Sequence, residues 1–448
     1  MRKLDRLVRE TQAQARVPAL AAAVHRSDRP LWTLSVGAGD GAAYRIGSVT
    51  KTFTAVLVMQ ARDEGLLDLD DPIGRHLDVP AHGDLPIRRL LSHTSGIQRE
   101  PHGDVWDTLL TPDAGQLVAD LERVERVLPS ARRYHYSNLG VALLGLAVAR
   151  LRGGTWAEVL ADRVLRPLGL DATSVDRPET ATTGYLVDAY SDAAFPEPPV
   201  DLGAVGPAAQ LWSTAADMAK WAAFLADPAA VDPSGAVLAA ATLEEMRWPV
   251  TTTDRDVWGA GFGLGLILVP QGERVTHVGH DGAMPGFLAG VYGRPRALTG
   301  PPGPPAFGAA VLGASGTAIE TVGLPHKLLA AAAEADPAEI TPWVPGQPAP
   351  EAYRSVLGRW WSEGFEHVFS WHDGALRSRS ALDPPGKPPA VFRPDPDNPD
   401  ILRTVAGREV GELLRLTRDG DGRVVRMHWA TYRFTRDQQT FEGHSFTA

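Results

Sequence analysis

The chain changes its character at a proline-rich stretch, residues 336–351 (DPAEITPWVPGQPAPE). Before this stretch, helix-like segments lie among glycine-rich apolar runs. After it come short β-like runs separated by turn residues such as Asp373-Gly374. A polar, proline-rich segment between two such patterns is typical of an interdomain linker. We therefore predict a first domain over 1–335, a linker over 336–351 and a second domain over 352–448.

Sheet-forming signals occur at both ends of the first domain, with helices between them. A hairpin is expected over 19–39, and adjacent strands are expected over 258–268, 274–292 and 306–315. Helical patterns are found over 48–65, 86–91, 139–152, 155–165, 214–225 and 326–335. This order predicts an α+β domain, in which an antiparallel sheet is flanked by helices and accompanied by an all-helical region. A Pro/Gly-rich stretch, 293–305, is expected to be an exposed loop.

The second domain has the pattern of a small all-β unit. Its β-like runs are 358–361, 367–372, 375–378, 391–393, 401–405, 413–417 and 424–432. Short strands at regular intervals, separated by glycine and aspartate turns, predict a small antiparallel β-barrel.

The composition excludes several classes of function. A net charge of −10 and a pI near 5.7 give no electrostatic basis for wrapping nucleic acid or coating an anionic membrane. The chain has no cysteine, which excludes disulfides, thiolate zinc sites and a cysteine nucleophile. No His-Glu-x-x-His motif occurs, and we expect no metal or other cofactor. The N-terminus has no apolar leader, and the longest apolar run, 139–151, is too short to span a bilayer, so we expect a cytoplasmic protein.

The first candidate catalytic motif is Ser48-Val49-Thr50-Lys51, at the start of a predicted helix. The helix dipole places positive potential near the Ser48 hydroxyl, and Lys51 lies on the same face one turn later. A buried ammonium beside a serine can lower the proton affinity of the hydroxyl or relay its proton. Taken alone, the motif favours a helix-capping serine followed by a solvated lysine over a catalytic pair.

The second motif is Tyr136-Ser137-Asn138. Tyr136 is a candidate general base, since a phenol close to a lysine can be held as phenolate. Asn138 can donate to a substrate carbonyl and help to hold Lys51. The structural alternative is a buried tyrosine that precedes a helix cap.

The third motif is His280-Asp281-Gly282, within VTHVGHDGAMPGF. His277 competes with His280, but residues three positions apart on a strand face opposite sides, so only one of them faces the site. Small residues follow His280 and allow a close approach of the backbone. We therefore predict His280 as the site residue, with Asp281, Gly282 and Ala283 binding substrate.

An apolar pocket beside the serine needs lining residues. The candidates are Trp106, Trp212, Trp258 and Phe287, and each has plain core packing as its alternative. Trp212 is the preferred tryptophan because it stands beside Ser213-Thr214.

In this order the three motifs resemble the signature of the serine β-lactamases and D-Ala-D-Ala peptidases of the class C type. Flanking stretches are similar to that superfamily as well: YRIG before the serine, LLDLDDPI, RRLLSHTSGI, RPLGLDAT and QLWSTAADMAKW. The resemblance covers about residues 15–335.

The resemblance implies a role for each motif residue. Ser48 becomes the nucleophile, Lys51 its partner, Tyr136 the base, Asn138 a positioning residue and His280 the third-motif residue. The backbone N–H groups of Ser48 and Ala283 would form the oxyanion hole. Histidine replaces the lysine that most class C β-lactamases have in the third motif, which weakens the capture of a substrate carboxylate and the case for β-lactamase activity.

As a whole, the chain looks like the penicillin-binding-protein-type thioesterases, in which a catalytic domain precedes a small lipocalin-like barrel. These stand-alone enzymes release and cyclise nonribosomal peptides. The resemblance implies a peptidyl thioester substrate on a phosphopantetheinylated carrier protein, with a D-residue at its acyl end. Arg433 and Arg436 in the barrel are candidates to contact the peptide or the phosphopantetheine, or are solvated.

Two other functions remain open at this point. A cytosolic serine esterase, or a D-amino-acid amidase or peptidase with water as acceptor, would share every catalytic residue. A catalytically inactive binding module is the other possibility, and the intact motifs argue against it. An α/β-hydrolase thioesterase is excluded because the chain has no Gly-x-Ser-x-Gly elbow.

Overall fold

A computed structural model describes residues 2–131, 133–272, 275–296, 306–335, 345–384, 386–440 and 442. The described residues form two compact units, one ending at 335 and the other starting at 345. The predicted linker over 336–351 and the predicted loop over 293–305 lie largely outside the described residues. The proposed domain boundaries therefore stay predictions.

Helices contain more residues of the first unit than strands do. Their bounds are α1 (Arg2–Gln14), α2 (Thr50–Asp63), α3 (Ile87–Leu91), α4 (Val105–Thr108), α5 (Ala114–Ala119), α6 (Asn138–Arg152), α7 (Trp156–Leu160), α8 (Arg166–Leu168), α9 (Gly206–Ala209), α10 (Ala215–Ala226), α11 (Ala240–Met246) and α12 (Glu320–Ala335). A π-helical turn, Ala161–Leu165, makes α7 and α8 continuous. Each helix expected from the sequence is present, although α12 begins six residues before its predicted start at 326.

The strands of the first unit form one large sheet and two small pairs. The large sheet contains β1 (Leu20–Arg26), β2 (Trp32–Val36), β7 (Thr251–Thr252), β8 (Gly261–Phe262), β9 (Ile267–Pro270), β10 (Thr276–Met284), β11 (Phe287–Arg294) and β12 (Phe307–Gly313). The pairs are β3 (Tyr44–Arg45) with β6 (Trp212–Ser213), and β4 (Tyr185–Val187) with β5 (Ala194–Pro196). Within the described ranges the large sheet has the order β2-β1-β12-β11-β10-β9-β8-β7, and every pair is antiparallel.

Two strand predictions for the first unit were wrong in detail. The stretch 274–292 contains two strands, β10 and β11, joined by a two-residue turn. The stretch 258–268 is not a single strand, because a tight turn separates β8 from β9. Gly265 adopts a positive φ of +78° in this turn, and a Cβ there would lie 2.2 Å from the Cβ of Ala55 in α2. The chain therefore reverses at a position that only glycine suits.

Helices cover both faces of the large sheet. On one face, α1 and α12 pack through buried residues such as Val8 and Leu328. On the other, α10 approaches closely because Gly308 has no side chain, and a Cβ there would lie 2.3 Å from the backbone of Ala219 and Ala223. All seven residues of β12 are consequently buried. None of the helices in the described ranges is long and apolar enough to cross a bilayer.

The second unit begins with α13 (Glu351–Arg354) and continues as a nearly closed antiparallel barrel. Its strands are β13 (Gly358–Ser362), β14 (Phe365–His372), β15 (Ala375–Ser380), β16 (Ala390–Pro394), β17 (Ile401–Ala406), β18 (Leu413–Arg418), β19 (Val424–Trp429) and β20 (Tyr432–Phe434). They pair in chain order, and Trp361 and Thr435 exchange backbone hydrogen bonds of 2.8 and 3.0 Å across the two ends. The predicted architecture, an α+β domain followed by a barrel, is confirmed. The run 424–432 is two strands, because the chain turns at Ala430, whose φ is +52°.

The barrel uses Arg436 for its own packing. The guanidinium carbon lies 4.0 Å from the Trp360 ring centre, and the side chain donates to the Arg359 carbonyl at 2.9 Å. Arg433 donates to the Thr440 carbonyl at 2.9 Å. Both arginines that were candidates for peptide contact therefore bond within the barrel itself.

Candidate active site

Ser48 lies in a 3-10 turn, Gly47–Val49, that leads directly into α2. Gly47 has a φ of +50°, and a Cβ on it would lie 2.6 Å from both the backbone nitrogen and the oxygen of Ala283. Glycine therefore allows the end of β10 to approach the turn. Ser48 itself is only half-buried.

Lys51 occupies the first turn of α2 and is 1% exposed. Its Nζ donates to Ser48 Oγ at 2.9 Å and to the Ala208 carbonyl at 2.8 Å. Burial lowers the pKa of Lys51 well below its usual value, and the nearby carboxylate of Glu100 partly opposes this shift. The solvated lysine considered from the sequence does not occur, and the amine is suited to accept a proton.

The polar residues of α2 explain how Lys51 is held. Thr50 Oγ1 accepts from the Leu211 N–H at 3.3 Å, and the Thr54 hydroxyl donates to the Pro207 carbonyl at 2.7 Å. Together with the Lys51 bond to Ala208, they join one side of the helix to the chain segment around α9. The sequence alone did not indicate this partner segment.

Tyr136, from the second motif, lies beside Lys51 and Ser48. The Lys51 Nζ, which bonds Ser48, lies 4.8 Å from the centre of the Tyr136 ring. Burial raises the pKa of Tyr136, and the nearby Ser48 side chain only partly opposes this shift. The phenol is therefore neutral at rest, which is a correction to the phenolate expected from the sequence.

His93 is a site residue that the sequence analysis missed. Its ring centre lies 4.4 Å from that of Tyr136, and its Nδ1 accepts from the Ser137 N–H at 3.1 Å. Its carbonyl accepts from the His135 N–H at 2.7 Å, so His93 fixes the backbone on both sides of the tyrosine. His93 lies within the stretch RRLLSHTSGI. Its φ of +53° is uncommon for a residue other than glycine, so its backbone is held in an unusual conformation.

Asn138 opens α6 but does not hold Lys51 as predicted. Its amide nitrogen donates to Glu100 Oε1 at 2.6 Å, and its Oδ1 has no partner among the described residues. The amine of Lys51 is held instead by Ser48 and Ala208. Glu100 is thus a second residue of the site that the motifs did not indicate.

The two candidate histidines of β10 lie on opposite faces of the sheet. His280 is 2% exposed, its ring centre is 6.1 Å from that of Tyr136, and its Nδ1 contacts the Asp281 carbonyl at 2.6 Å. Burial, together with the charge of Lys51, lowers the pKa of His280 to about 3, so the ring is neutral. His277 instead pairs with His326 of α12 through their Nδ1 atoms, 2.8 Å apart.

Asp281 is a correction to the predicted substrate-binding residues. Its carboxylate accepts from the Tyr292 hydroxyl at 2.7 Å, and burial raises its pKa to about 6. Side chains alternate along a strand, so Asp281 shares the face of His277 and points away from that of His280. Its carboxylate therefore serves the rear of the sheet, and only its backbone reaches the site.

Gly282 and Ala283 bring the backbone of β10 to the serine. A Cβ on Gly282 would lie 1.9 Å from the Ile46 carbonyl oxygen, so the strand packs directly against the turn that carries Ser48. Met284 and Phe287 flank the two-residue turn between β10 and β11, and Ala283 pairs with Leu288 one position further from that turn. At that position of an antiparallel ladder the N–H points away from the partner strand, here towards Gly47 and Ser48. The geometry fits the oxyanion hole that the resemblance implies.

Trp212 and Phe287 line a neighbouring cavity. Both are buried, with ring centres 5.6 Å apart, and they border a cavity of about 60 Å³ together with Arg45 and Met284. Ser48 is not among the residues that line it. Trp106 and Trp258, the other tryptophan candidates, are largely exposed.

The described residues thus bring Ser48, Lys51, Tyr136, His280 and Ala283 together at one end of β10, with Asn138 beside them. No group of three or more potential metal ligands is found in the described part of the chain. A nucleophile next to a buried amine and a phenol, with backbone N–H groups opposite, can perform acyl transfer.

This fold and this arrangement define a serine acyl-transfer protein, and the comparisons give its family. The family model described as Beta-lactamase matches residues 4–320, and the chain belongs to that family. A second model, a domain of unknown function (DUF7586), matches residues 349–436 in the barrel.

The curated relatives match only part of their length. Penicillin-binding protein 4 of Amycolatopsis lactamdurans is 34% identical over 54% of this chain and 66% of its own. Beta-lactamase-like protein 2 of Dictyostelium discoideum is 31% identical over 50% of this chain and 42% of its own. The chain therefore spans between two fifths and two thirds of these relatives.

Solved structures support the fold over both units. The octameric penicillin-binding protein homologue from Pyrococcus abyssi aligns with a TM-score of 0.63 at 20% identity, covering 97% of this chain and 99% of its own. SurE aligns with a TM-score of 0.60 at 23% identity, covering 97% and 98%. The D-amino acid amidase from Ochrobactrum anthropi SV3, with a TM-score of 0.59 at 21% identity, covers 74% of this chain and 99% of its own.

Proposed function

We propose that this protein takes the peptidyl group of a carrier-protein thioester onto Ser48 and releases it as a macrocyclic nonribosomal peptide. One observation carries the proposal: the Lys51 amine donates to the half-buried Ser48 hydroxyl at 2.9 Å, and the centre of the Tyr136 ring lies 4.8 Å from the same amine. The proposed partner is a phosphopantetheinylated carrier protein in the cytoplasm.

The acylation step begins with neutral groups. Burial lowers the pKa of Lys51 and raises that of Tyr136, so the pair starts as an amine and a phenol. The proton of Ser48 passes to this pair, which titrates as one unit. Ser48 Oγ bonds to the thioester carbonyl carbon, the carbon–sulfur bond breaks, and the pair returns the proton to the leaving thiolate.

The developing oxyanion needs donors that are already in place. The N–H groups of Ser48 and Ala283 are proposed to supply them, because Gly47 and Gly282 let the turn and the strand pack without intervening side chains. Donors of this kind contribute about 3–4 kcal/mol each to transition-state stabilisation.

Release follows from attack by the amine at the other end of the same peptide. Its nitrogen bonds to the ester carbonyl carbon, the bond to Ser48 Oγ breaks, and the amine proton returns to Ser48 through the pair. Holding both ends in one site gives the amine a large effective concentration relative to water. Neutral His280, whose Nε2 is buried without a partner among the described residues, is proposed to contact the peptide.

A D-residue at the acyl end is part of the proposal. Among the structural neighbours, SurE was solved with D-Leu and the Ochrobactrum amidase with D-phenylalanine. The Trp212–Phe287 cavity, beside the end of β10, is the proposed place for an apolar portion of the acyl chain.

Synthetic peptidyl thioesters that end in D- or L-residues test the proposal. We expect a cyclic product from the D-series, little product from the L-series, and none from S48A, which lacks the nucleophile. Mass spectrometry of the products, with a peptidyl–Ser48 adduct trapped by acid quench, provides the measurement. Linear acid from every D-substrate would overturn cyclisation.

The second candidate is a hydrolase of D-amino-acid amides, peptides or esters that uses water as acceptor. The likeness of the first unit to a D-stereospecific amidohydrolase from Streptomyces, at a TM-score of 0.58, favours it. A faster reaction with D-aminoacyl amides than with thioesters, giving free acid, would support this candidate over the first.

A further inference from the structure

Two short segments contact each other residue by residue, and the proposed mechanism uses only one of them. Residues 98–100 follow α3, and residues 136–138 carry the second motif. Three contacts join them: the Ser137 hydroxyl donates to the Gln98 carbonyl at 2.8 Å, the Asn138 amide donates to Glu100 at 2.6 Å, and the Arg99 guanidinium carbon lies 4.8 Å from the centre of the Tyr136 ring.

The backbone makes the same pairing rigid. The N–H groups of Asn138 and Leu139 both donate to the Arg99 carbonyl, at 2.7 and 3.2 Å. The Arg99 Nε lies 3.4 Å from Glu100 Oε1, the atom that also accepts the Asn138 amide. Arg99 is thus fixed beside the tyrosine at its backbone and at its side chain.

We propose that Arg99 is a positioning residue that acts through Tyr136, stabilising the phenolate that forms when Tyr136 passes its proton to the Lys51 amine and before it takes the proton of Ser48. Glu100 holds the guanidinium in place and offsets part of its charge. The inference rests on the proposed function, since it assumes that Lys51 takes the proton of Tyr136 and that Tyr136 takes the proton of Ser48.

The other groups around Tyr136 cannot supply a lasting positive charge. They are Ser48, Lys51, His93, Tyr134 and His280. Burial lowers the pKa of Lys51 and of both histidines, which favours their neutral forms. The Arg99 side chain is 60% exposed and carries the positive charge of a guanidinium. Its charge lowers the pKa of Tyr136, and that of Glu100 raises it.

The test follows the labelling of Ser48 by a neutral fluorophosphonate as a function of pH. The labelling rate rises with pH as the Lys51/Tyr136 unit loses its proton, and the midpoint reports that unit. In R99Q the midpoint should rise by about one pH unit, with labelling about tenfold slower below it. In E100Q the midpoint should fall, because Gln still accepts the Asn138 amide but has lost the charge.

Matched variants separate electrostatics from structure. R99K keeps the charge and should restore most of the wild-type midpoint. R9Q removes an exposed arginine of α1 and the same net charge, and should leave the profile unchanged. The double variant R99Q/E100Q should return the midpoint towards that of the wild type.

The outcomes distinguish the two proposals. If wild-type protein is labelled at Ser48 but R99Q keeps its midpoint, or if R99Q and E100Q shift it in the same direction, the role of Arg99 is refuted. If R99Q only lowers the melting temperature, with an unshifted profile, Arg99 is structural. If wild-type Ser48 is not labelled at any pH, the proposed function is refuted, and the role of Arg99 is refuted with it.

Discussion

The two faces of strand β10 carry polar residues that serve different purposes. On the front, His280 lies near Tyr136, and its Nε2 has no partner within the described ranges. On the rear, His277 bonds His326, and Asp281 accepts from Tyr292. The rear groups satisfy one another, whereas the front group is left available for a ligand.

This difference shows how one strand can be structural and functional at once. Because side chains alternate, adjacent residues of the same motif fall in different environments. An unpaired buried donor or acceptor costs free energy, so it persists where a substrate can complete it. Pairing, more than residue type, therefore separates the site from the scaffold on this strand.

The largest expected effect concerns the backbone of the front face. In G282A the new Cβ would clash with the Ile46 carbonyl, 1.9 Å away, and push β10 from Ser48. We expect the rate of acylation per active site to fall about 100-fold or more, which is the usual effect of removing one donor of an oxyanion hole. G323A in α12, where a Cβ meets nothing within 4 Å, is the matched control and should keep full activity. Equal activity of the two variants would contradict the proposed oxyanion hole.

The comparison of the two faces predicts that substituting His280 affects mainly the rate and that substituting His277 affects mainly the stability. The reverse result would contradict it. In H280A we expect the acylation rate per folded molecule to fall about tenfold, because its Nε2 is left available for a ligand, and some stability to be lost with its packing and its contact to Asp281. In H277A we expect an unchanged rate per folded molecule and a loss of about 1–3 kcal/mol in the free energy of unfolding, since His326 loses its bond. Urea unfolding and burst titration measure the two quantities. If H277A acylated slowly but unfolded with the free energy of the wild type, the functional face of β10 would be that of His277 and not that of His280.

The smallest expected effect is a pH dependence from the rear face. Burial raises the pKa of Asp281 to about 6, above its unfolded value near 3.9. The folded state then binds the proton more tightly, so lowering the pH from 7 to 5 adds about 1 kcal/mol to the free energy of unfolding through this group. D281N should lack this gain and still accept from Tyr292.

Urea titrations of both proteins at pH 7 and pH 5 measure the difference. The buried histidines, whose pKa values are lowered, destabilise the fold as the pH falls, but they do so in both proteins and cancel. The same pH response in wild type and D281N would mean that the Asp281 carboxylate is not buried on the rear face.

Much of the site could be predicted from local patterns. Ser48 and Lys51 are one helical turn apart, and their contact follows from helix geometry alone. The alternation of side chains along β10 separates His280 from His277 in the sequence alone. Arg99, Glu100 and His93 could not be found this way, because nothing local links them to Tyr136, about forty residues away along the chain.

The sequence by itself determined the two-part architecture, the periodic elements and the order of the motifs, because these depend on spacing along the chain. Only the tertiary structure decided which side chains are neutral, which are paired and which are left without a partner. Those properties depend on burial and on neighbours from distant segments: the Ala208 carbonyl beside Lys51 and the Tyr292 hydroxyl beside Asp281 were not visible in any motif. Charge state is set by such surroundings, and it changed the expected resting form of Tyr136 from phenolate to phenol.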